Sequence, residues 1–460
     1  DDSLTINVLS DSLFSTYLLL QNVTNGTPLK PIKAYSSIDL GGNVDITFSL
    51  DQLRTLYWVG DAGVWQDSAH WSLTSGGQGG ECIPTPTDSV IFDNNSFSLT
   101  NQTVDLETYD AYCGDFIITP NTSFDLDWGY KASLQVFRDM ELQPGLQMTG
   151  GNTAYLEFKG PDSASFDPAD VAIGFYVNIK KSNLATLDIT DSVYTPRSLN
   201  VYSGGLRTFG NSYNINRINL EDRGDSTWAE VDSSRFDIWG NWNSFNISSA
   251  DIGWKSNGAT VFLTSDRSQA RIYTLDTVEH IEFTNENSLD YNSLTSGQNS
   301  HIHYVKPHAN LVFNGSTSID TLILSPDQVY SFDPNNDHII HDSLRARGDF
   351  CNYIGMKSTQ IGTQADIYTY HNVGADFLEI RDLNYAGTGT FYTGAKSNDQ
   401  GNNNGFIWDN KPGYVYGFPK DTTELFCHDS LYTDSLLLTT ANFNDAVGFY
   451  WSTGDSTTNL

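Results

Sequence analysis

Three histidines lie close together in the chain, at positions 301, 303 and 308. If their segment is a β-strand, His301 and His303 point to the same face, an acceptable spacing for two ligands of a metal ion such as zinc. No carboxylate that could supply a third ligand is evident in the sequence. The favoured interpretation is therefore a solvated strand face, and a metal site is the alternative.

A second segment resembles the first half of a calcium-binding loop. Asp333, Asn335 and Asp337 have the alternating spacing of its oxygen ligands. His338 stands where such a loop needs glycine, and no glutamate follows at the required distance. Calcium, bound here or between other acidic loops, is thus only a weak expectation, and no other cofactor is expected.

Three tryptophans, Trp58, Trp65 and Trp71, fall within one short segment. Exposed indoles stack on sugar rings, so this segment could form a carbohydrate-binding platform. Large aromatic side chains are more often buried, however, and an elongated repeat fold needs a cap over its first coil. We therefore favour an aromatic N-terminal cap at residues 55–115, with carbohydrate stacking as the alternative.

The cysteines bear on the cellular compartment. Cys82 and Cys113 are the expected disulfide pair, closing a loop of about 30 residues and stabilising the fold by roughly 3 kcal/mol. Such a bridge is typical of an oxidising, extracellular environment. Cys351 has no evident partner, and the partner of Cys427 is expected beyond Leu460.

The chain carries a formal net charge of -32, from 24 basic and 56 acidic residues. This charge repels phosphate groups, so neither nucleic acids nor anionic membranes are expected partners. No apolar run is long enough to span a bilayer. No acidic pair and no basic residue lies in a recognisable catalytic arrangement. We expect a non-enzymatic protein, with a polysaccharide lyase or glycoside hydrolase, or a non-catalytic carbohydrate-binding domain, as the alternatives.

Apolar–polar–apolar triplets, which recur about every 21 residues, predict the elements that position these groups. They run from Leu134-Gln135-Val136 to Leu344, separated by stretches rich in Gly, Asn, Asp and Ser. Alternation within a triplet indicates a strand, and the spacing is that of one solenoid coil. The pattern predicts an all-β fold, a right-handed parallel β-helix. A β-sandwich array would not hold one triplet phase over so many intervals.

A longer repeat has an offset of 360 residues, relating the segment 37–43 to the segment 397–403. It predicts that residues 1–50 are the C-terminal end of one β-helix unit and that residues 55–410 are a complete unit. A change of composition after Trp408 predicts a truncated immunoglobulin-like β-sandwich beginning at residues 424–460. The chain would then be part of a longer array, whose neighbouring units are its first partners.

Several strings resemble the repeats of giant Bacteroidota surface proteins, the SprB-type gliding-motility adhesins. They are Tyr57-Trp58-Val59-Gly60, His70-Trp71-Ser72, the segment 88–97, the closing segment 397–405, and Trp451-Ser452-Thr453-Gly454-Asp455. The opening string departs from the usual pattern at Asp61, where glycine is common. The resemblance implies export by the type IX secretion system, an outer-membrane-attached surface filament moved by the gliding machinery, and adhesion to extracellular glycans or surfaces.

Aspartate followed by Ser or Thr and then a small, aliphatic or Thr residue resembles the O-glycosylation pattern of secreted Bacteroidota proteins. The alternative is ordinary turn chemistry where loops enter strands. The acceptors would be Ser3, Ser12, Ser68, Ser89, Ser163, Ser192, Ser226, Thr277, Thr321, Ser343, Thr422, Ser430, Ser435 and Ser456.

Overall fold

The chain forms a parallel β-solenoid of about 17 turns, which confirms the predicted all-β parallel β-helix. A computed structural model describes residues 3–49, 53–151, 153–182, 184–223, 226–285 and 292–412. Within these ranges the helical structure is a single 3-10 turn at Ser68–His70. Nothing helical there approaches the length and hydropathy of a membrane span. The expected immunoglobulin-like start at 424–460 lies outside the described residues.

Stacked apolar side chains form the core of the solenoid. Leu134, Leu156, Val177, Leu199 and Ile218 occupy equivalent positions in successive coils, each strand pairing in parallel with the next. All five side chains are buried. Burial of each contributes about 1.5–3 kcal/mol, and the inter-coil ladder satisfies the backbone amides and carbonyls that this burial removes from water.

Each coil contributes strands to three faces, here named A, B and C. Face A begins with Thr55–Trp58, Ser89–Phe92, Phe116–Ile118, Met140–Glu141, Ala164–Asp167, Thr186–Ile189, the end of Val193–Arg207, Thr227–Glu230 and Gly253–Lys255. It continues with the first halves of Thr277–Phe283, His301–Pro307, Thr317–Leu324 and His338–Ala346, then Ala365–Thr369 and Leu383–Tyr385.

Face B is the longest uninterrupted stack. Its fourteen strands are Ala111–Cys113, Ser133–Val136, Tyr155–Gly160, Tyr176–Lys181, the middle of Val193–Arg207, the end of Ser212–Leu220, Phe245–Ile247, Gln269–Ile272, Asn292–Ser296, Leu311–Gly315, Val329–Phe332, Ile354–Ser358, Leu378–Arg381 and Asn398–Asp399.

Face C completes each coil. It comprises Gly63–Val64, Thr103–Asp105, Asp125–Trp128, Gln147–Gly150, the starts of Val193–Arg207 and Ser212–Leu220, Arg235–Ile238, Thr260–Leu263, the second halves of the four long strands, Val373–Gly374, Phe391–Tyr392 and Phe406–Ile407.

The register of the coils corrects one part of the triplet pattern. The predicted phase holds on face B as far as Ile218, whose next stacked partner is Phe245, 27 residues later. The triplet expected next, at Ile238, lies on face C and pairs with Ile215. Coil length therefore varies more than the even spacing suggested, and the extra residues lie at the corners between faces.

An aromatic cluster covers the first coil of the 55–410 unit. Trp58, Trp65 and Trp71 are at most 1% exposed, and Trp71 contacts both others, with ring centroids 5.1 Å from Trp58 and 4.9 Å from Trp65. The short strand Trp71–Ser72 pairs antiparallel with Thr55–Trp58, closing that edge. The cap interpretation is thus supported. Carbohydrate stacking on these three indoles is wrong, because none of them reaches the surface.

The expected disulfide between Cys82 and Cys113 is also wrong, since both thiols are free. Cys113 belongs to the triplet Ala111-Tyr112-Cys113, whose outer members point inward, so its side chain is fully buried in the coil. Cys82 lies in the exposed connection before Ser89–Phe92. Burial raises the pKa of the Cys113 thiol, which keeps it protonated and unreactive.

Residues 3–49 form short coils of the same three-faced kind. Their parallel pairs are Leu4–Ile6 with Val23–Asn25, Leu19–Leu20 with Ile38–Asp39, and Leu13–Thr16 with Ile32–Tyr35, which in turn pairs with Ile46–Ser49. The predicted break near residue 50 thus separates two sets of coils.

Replacing Trp71 with alanine should lower the free energy of unfolding by about 3–5 kcal/mol, because the change opens a cavity beneath the cap. Trp242 is 58% exposed, so Trp242→Ala is the matched control and should change stability by less than about 0.5 kcal/mol. Guanidinium unfolding monitored by circular dichroism measures both. Equal effects from the two substitutions would contradict the cap.

Candidate functional site

Outward-pointing side chains of neighbouring coils meet on face A between residues 277 and 341. His301 and His303 flank the inward, buried Ile302, as the sequence predicted for a strand. Ile302 pairs with Ile319 of the next coil, which places Ser318 and Asp320 beside the two histidines. Only 17 residues separate the paired isoleucines, so this coil is short.

Asp320 lies between the two imidazoles. Its Oδ1 is 3.0 Å from His301 Nε2, and its Oδ2 accepts a short hydrogen bond from His303 Nδ1. The pairing with the following strand shifts register between Ile319 and Thr321, a bulge centred on Asp320. Bulges of this kind re-aim a side chain. The three residues form the one group of potential metal ligands within the described ranges, their ligand atoms lying within 4.8 Å of one another.

Hydrogen bonds hold the outer edges of this cluster. The Ser318 hydroxyl is 2.9 Å from His301 Nδ1 and 2.8 Å from His341 Nε2. On the opposite side, Glu279 Oε2 lies 3.8 Å from His303 Nε2. Partial burial acts to raise the pKa of Asp320, but the two imidazole partners outweigh it, so that the pKa is lowered and the carboxylate stays ionised.

The sequence identified only part of this cluster. His308 does not belong to it, because its Nε2 lies 3.6 Å from Glu282 on a separate part of the same strands. Asp320 was missed, since a carboxylate one coil away can be assigned only when the length of that coil is known. The alternation Ser318-Ile319-Asp320, matching His301-Ile302-His303, was the signal that could have found it.

The segment that resembles a calcium loop is a turn closed by amides. Asp333 Oδ1 accepts hydrogen bonds from the backbone and side-chain nitrogens of Asn335, at 3.0 and 2.9 Å, and Oδ2 accepts one from Asn336 at 2.7 Å. His338 is buried and contacts the Asp333 carbonyl. The Asp333 carboxylate is therefore already committed to protein donors, which does not favour calcium at this turn.

Two other tryptophans are exposed. Trp239 and Trp242, at 41% and 58% exposed, lie on the turn between Arg235–Ile238 and Phe245–Ile247. The turn packs closely on the coil before it: Gly240 N donates to the Asn216 carbonyl at 2.8 Å, and a Cβ at Gly240 would lie 2.2 Å from that oxygen. Glycine is required at this approach, and it fixes the turn that presents both indoles.

Carboxyl groups with a shifted pKa are spread along the solenoid. Hydrogen-bond donors outweigh or add to the effect of burial and lower the pKa at Asp61, Asp115, Glu157, Glu221, Asp320, Asp333 and Asp382. Burial raises the pKa of Asp376. A hydrolase needs an acid with a raised pKa beside a second carboxylate. The distribution instead consists of ionised carboxylates paired with donors, which is typical of structural turns.

A surface pocket lined by several cations was the place to seek a lyase base. Lys159 and Lys180 both pair with Glu157. Burial lowers the pKa of Lys181 to about 8. Its Nζ is buried and donates to the carbonyls of Lys159 and Phe137, at 2.7 and 3.0 Å. In this conformation the amine cannot contact a polysaccharide.

The Asp-Ser and Asp-Thr acceptors differ in accessibility. Ser3, Ser68, Ser163 and Ser226 are exposed. Ser12, Ser89, Ser192, Thr277, Thr321 and Ser343 are half-buried, and the last two lie within paired strands. Thr422, Ser430, Ser435 and Ser456 lie outside the described residues. Modification remains a prediction, and the exposed acceptors are the best placed for it.

The chain matches no protein-family model, no curated protein and no solved structure. The resemblance to surface adhesins therefore rests on its motifs, and the function has to be argued from the geometry above.

Protein isolated from its natural host should carry O-linked glycans at exposed acceptors, so its intact mass should exceed the 51.0 kDa polypeptide mass. Peptide mapping should place the added mass on Ser68, Ser163 or Ser226 in preference to Thr321, which is half-buried in a paired strand. A native mass equal to that of the bare polypeptide would refute the modification.

Proposed function

We propose that the chain is a structural and adhesive module of a repetitive cell-surface filament protein, and that it contributes to surface attachment during gliding. The observation that carries this proposal is a closing turn that occurs twice. In the first copy, Asn43 Nδ2 donates to the Leu20 carbonyl at 2.8 Å and to Asp39 Oδ1 at 2.5 Å, while its Oδ1 accepts from Val23 N at 2.9 Å.

The second copy, 360 residues later, has the same bonds. Asn403 Nδ2 donates to the Ile380 carbonyl at 2.7 Å and to Asp399 Oδ1 at 2.6 Å, and its Oδ1 accepts from Leu383 N at 3.1 Å. Further bonds also correspond, Leu18 N with Ser37 Oγ matching Leu378 N with Ser397 Oγ. Repetition of a whole network indicates the same structural end in two successive units, which supports an array.

The shape of the unit suits a spacer that holds a surface away from its attachment point. Thirteen steps between the fourteen strands of face B, at about 4.8 Å each, give a rod roughly 60 Å long. Many such rods in series would form a filament. Export by the type IX secretion system and movement by the gliding machinery belong to this proposal through the motif resemblance.

The adhesive part of the proposal rests on Trp239 and Trp242, which share one rigid turn and are both exposed. Indole faces stack on the apolar faces of sugar rings, and a fixed turn reduces the entropy lost on binding. Extracellular glycans are the chemistry that this pair fits best. The same observation favours a non-catalytic carbohydrate-binding domain as the second candidate function.

The chain immobilised on a surface should retain a panel of extracellular polysaccharides without releasing sugars from them. Trp239→Ala with Trp242→Ala should weaken retention by at least about tenfold, because two stacking contacts are lost. Tyr130→Ala removes another aromatic ring, 64% exposed, and serves as the control with unchanged retention. Antibodies to the chain should label filaments on intact cells.

Two outcomes would contradict the proposal. Release of reducing sugars would favour the enzyme alternative. Retention that the double variant leaves unchanged, together with no labelling of intact cells, would remove both the adhesive and the surface assignments.

A further inference from the structure

The cluster on face A has the donor set of a transition-metal site. It offers two imidazole nitrogens and one carboxylate, from His301, His303 and Asp320. Ligand atoms around a tetrahedral ion at about 2.0–2.1 Å lie roughly 3.3 Å apart. His301 Nε2 and Asp320 Oδ1 are already 3.0 Å apart. Small side-chain rotations bring the remaining atoms, which lie within 4.8 Å, to the same separation.

The surroundings of the cluster orient these donors. Ser318 binds the second nitrogen of His301, leaving Nε2 directed at Asp320, and Glu279 lies beside the second nitrogen of His303. Histidine ligands in metal sites commonly have such a partner on the nitrogen that does not bind the metal. The bulge at Asp320 is a second, independent feature, because it aims the carboxylate at this place.

We propose that His301, His303 and Asp320 bind a divalent transition-metal ion of the zinc class. Two imidazoles with one carboxylate suit zinc and its neighbours, whereas calcium prefers six to eight oxygen ligands. Three protein ligands leave one position of a tetrahedral ion open. That position faces solvent, since His303 is 46% exposed, and water or an outside ligand can fill it.

The formal net charge of -32 supports cation binding at this place. Carboxylates contact the histidines from both sides, from Glu279 on one coil and Asp320 on another. Metal binding would join the strands His301–Pro307 and Thr317–Leu324 through their side chains, in addition to their backbone pairing.

Isothermal calorimetry with zinc chloride, on the chain without any affinity tag, tests the proposal. We expect saturable binding of one ion per chain. His303→Ala and Asp320→Ala should each weaken it by at least about tenfold, and Ser318→Ala by about tenfold to a hundredfold, because it removes the bond that orients His301. Cobalt(II) should give the intense visible absorption of a four-coordinate ion, and excess calcium should not displace it.

His308→Ala is the matched control, because His308 also contacts a carboxylate on the same strands but lies outside the cluster. It should leave zinc binding unchanged. Circular dichroism and the metal-free unfolding midpoint should be unaltered in all variants, which separates loss of a ligand from loss of fold. Zinc binding that His308→Ala weakens as much as His303→Ala, displacement by calcium, or no saturable binding would overturn the site.

Discussion

The parallel backbone pairing between successive coils is the constraint on which the rest of the structure depends. A single coil presents its apolar triplets and its strand edges to water and cannot fold alone. Stacking removes both problems at once, because the strand that pairs with the next coil also brings its inward side chains into contact with those of that coil. Leu156 above Leu134 and Val177 above Leu156 illustrate the rule. The aromatic cap is needed because the first coil lacks a neighbour on one side.

The corners between faces give the fold its freedom. Pairing fixes the strands, while the connections vary from the 17-residue step between Ile302 and Ile319 to the 27-residue step between Ile218 and Phe245. The two extremes create the two features of functional interest. The short coil brings Asp320 against the histidines, and the long one adds the turn that exposes Trp239 and Trp242. Variation in coil length therefore places chemistry on an otherwise repetitive surface.

Much of the fold could be predicted from the sequence, because a period of two inside a period near 21 depends on local physics. Cys113 shows that the rule had further use: its place in the triplet Ala111-Tyr112-Cys113 already required an inward side chain, which argues against the expected disulfide. The contacts of Asp320 and the move of the triplets to face C at Ile238 depend on corner length. No local pattern encodes that length, so these features could not be predicted.

The closing turn shows how a solenoid unit ends. Asn43 and Asn403 each bond a backbone group of the preceding coil and a carboxylate of their own, so that the last strands are held by side chains. An array of units needs this device at every boundary, and its exact recurrence links fold to proposed function more firmly than composition does.

The central claim is that the coil is the unit of stability, and deletion of one coil tests it most directly. Val177 and Leu199 occupy equivalent positions, so removal of residues 177–198 should leave every other coil in register. This variant should keep its β-sheet circular dichroism spectrum and unfold cooperatively. Removal of residues 177–187 places Asp188 where Val177 stood and should abolish the folded state. Equal tolerance, or equal loss, of the two deletions would contradict the account.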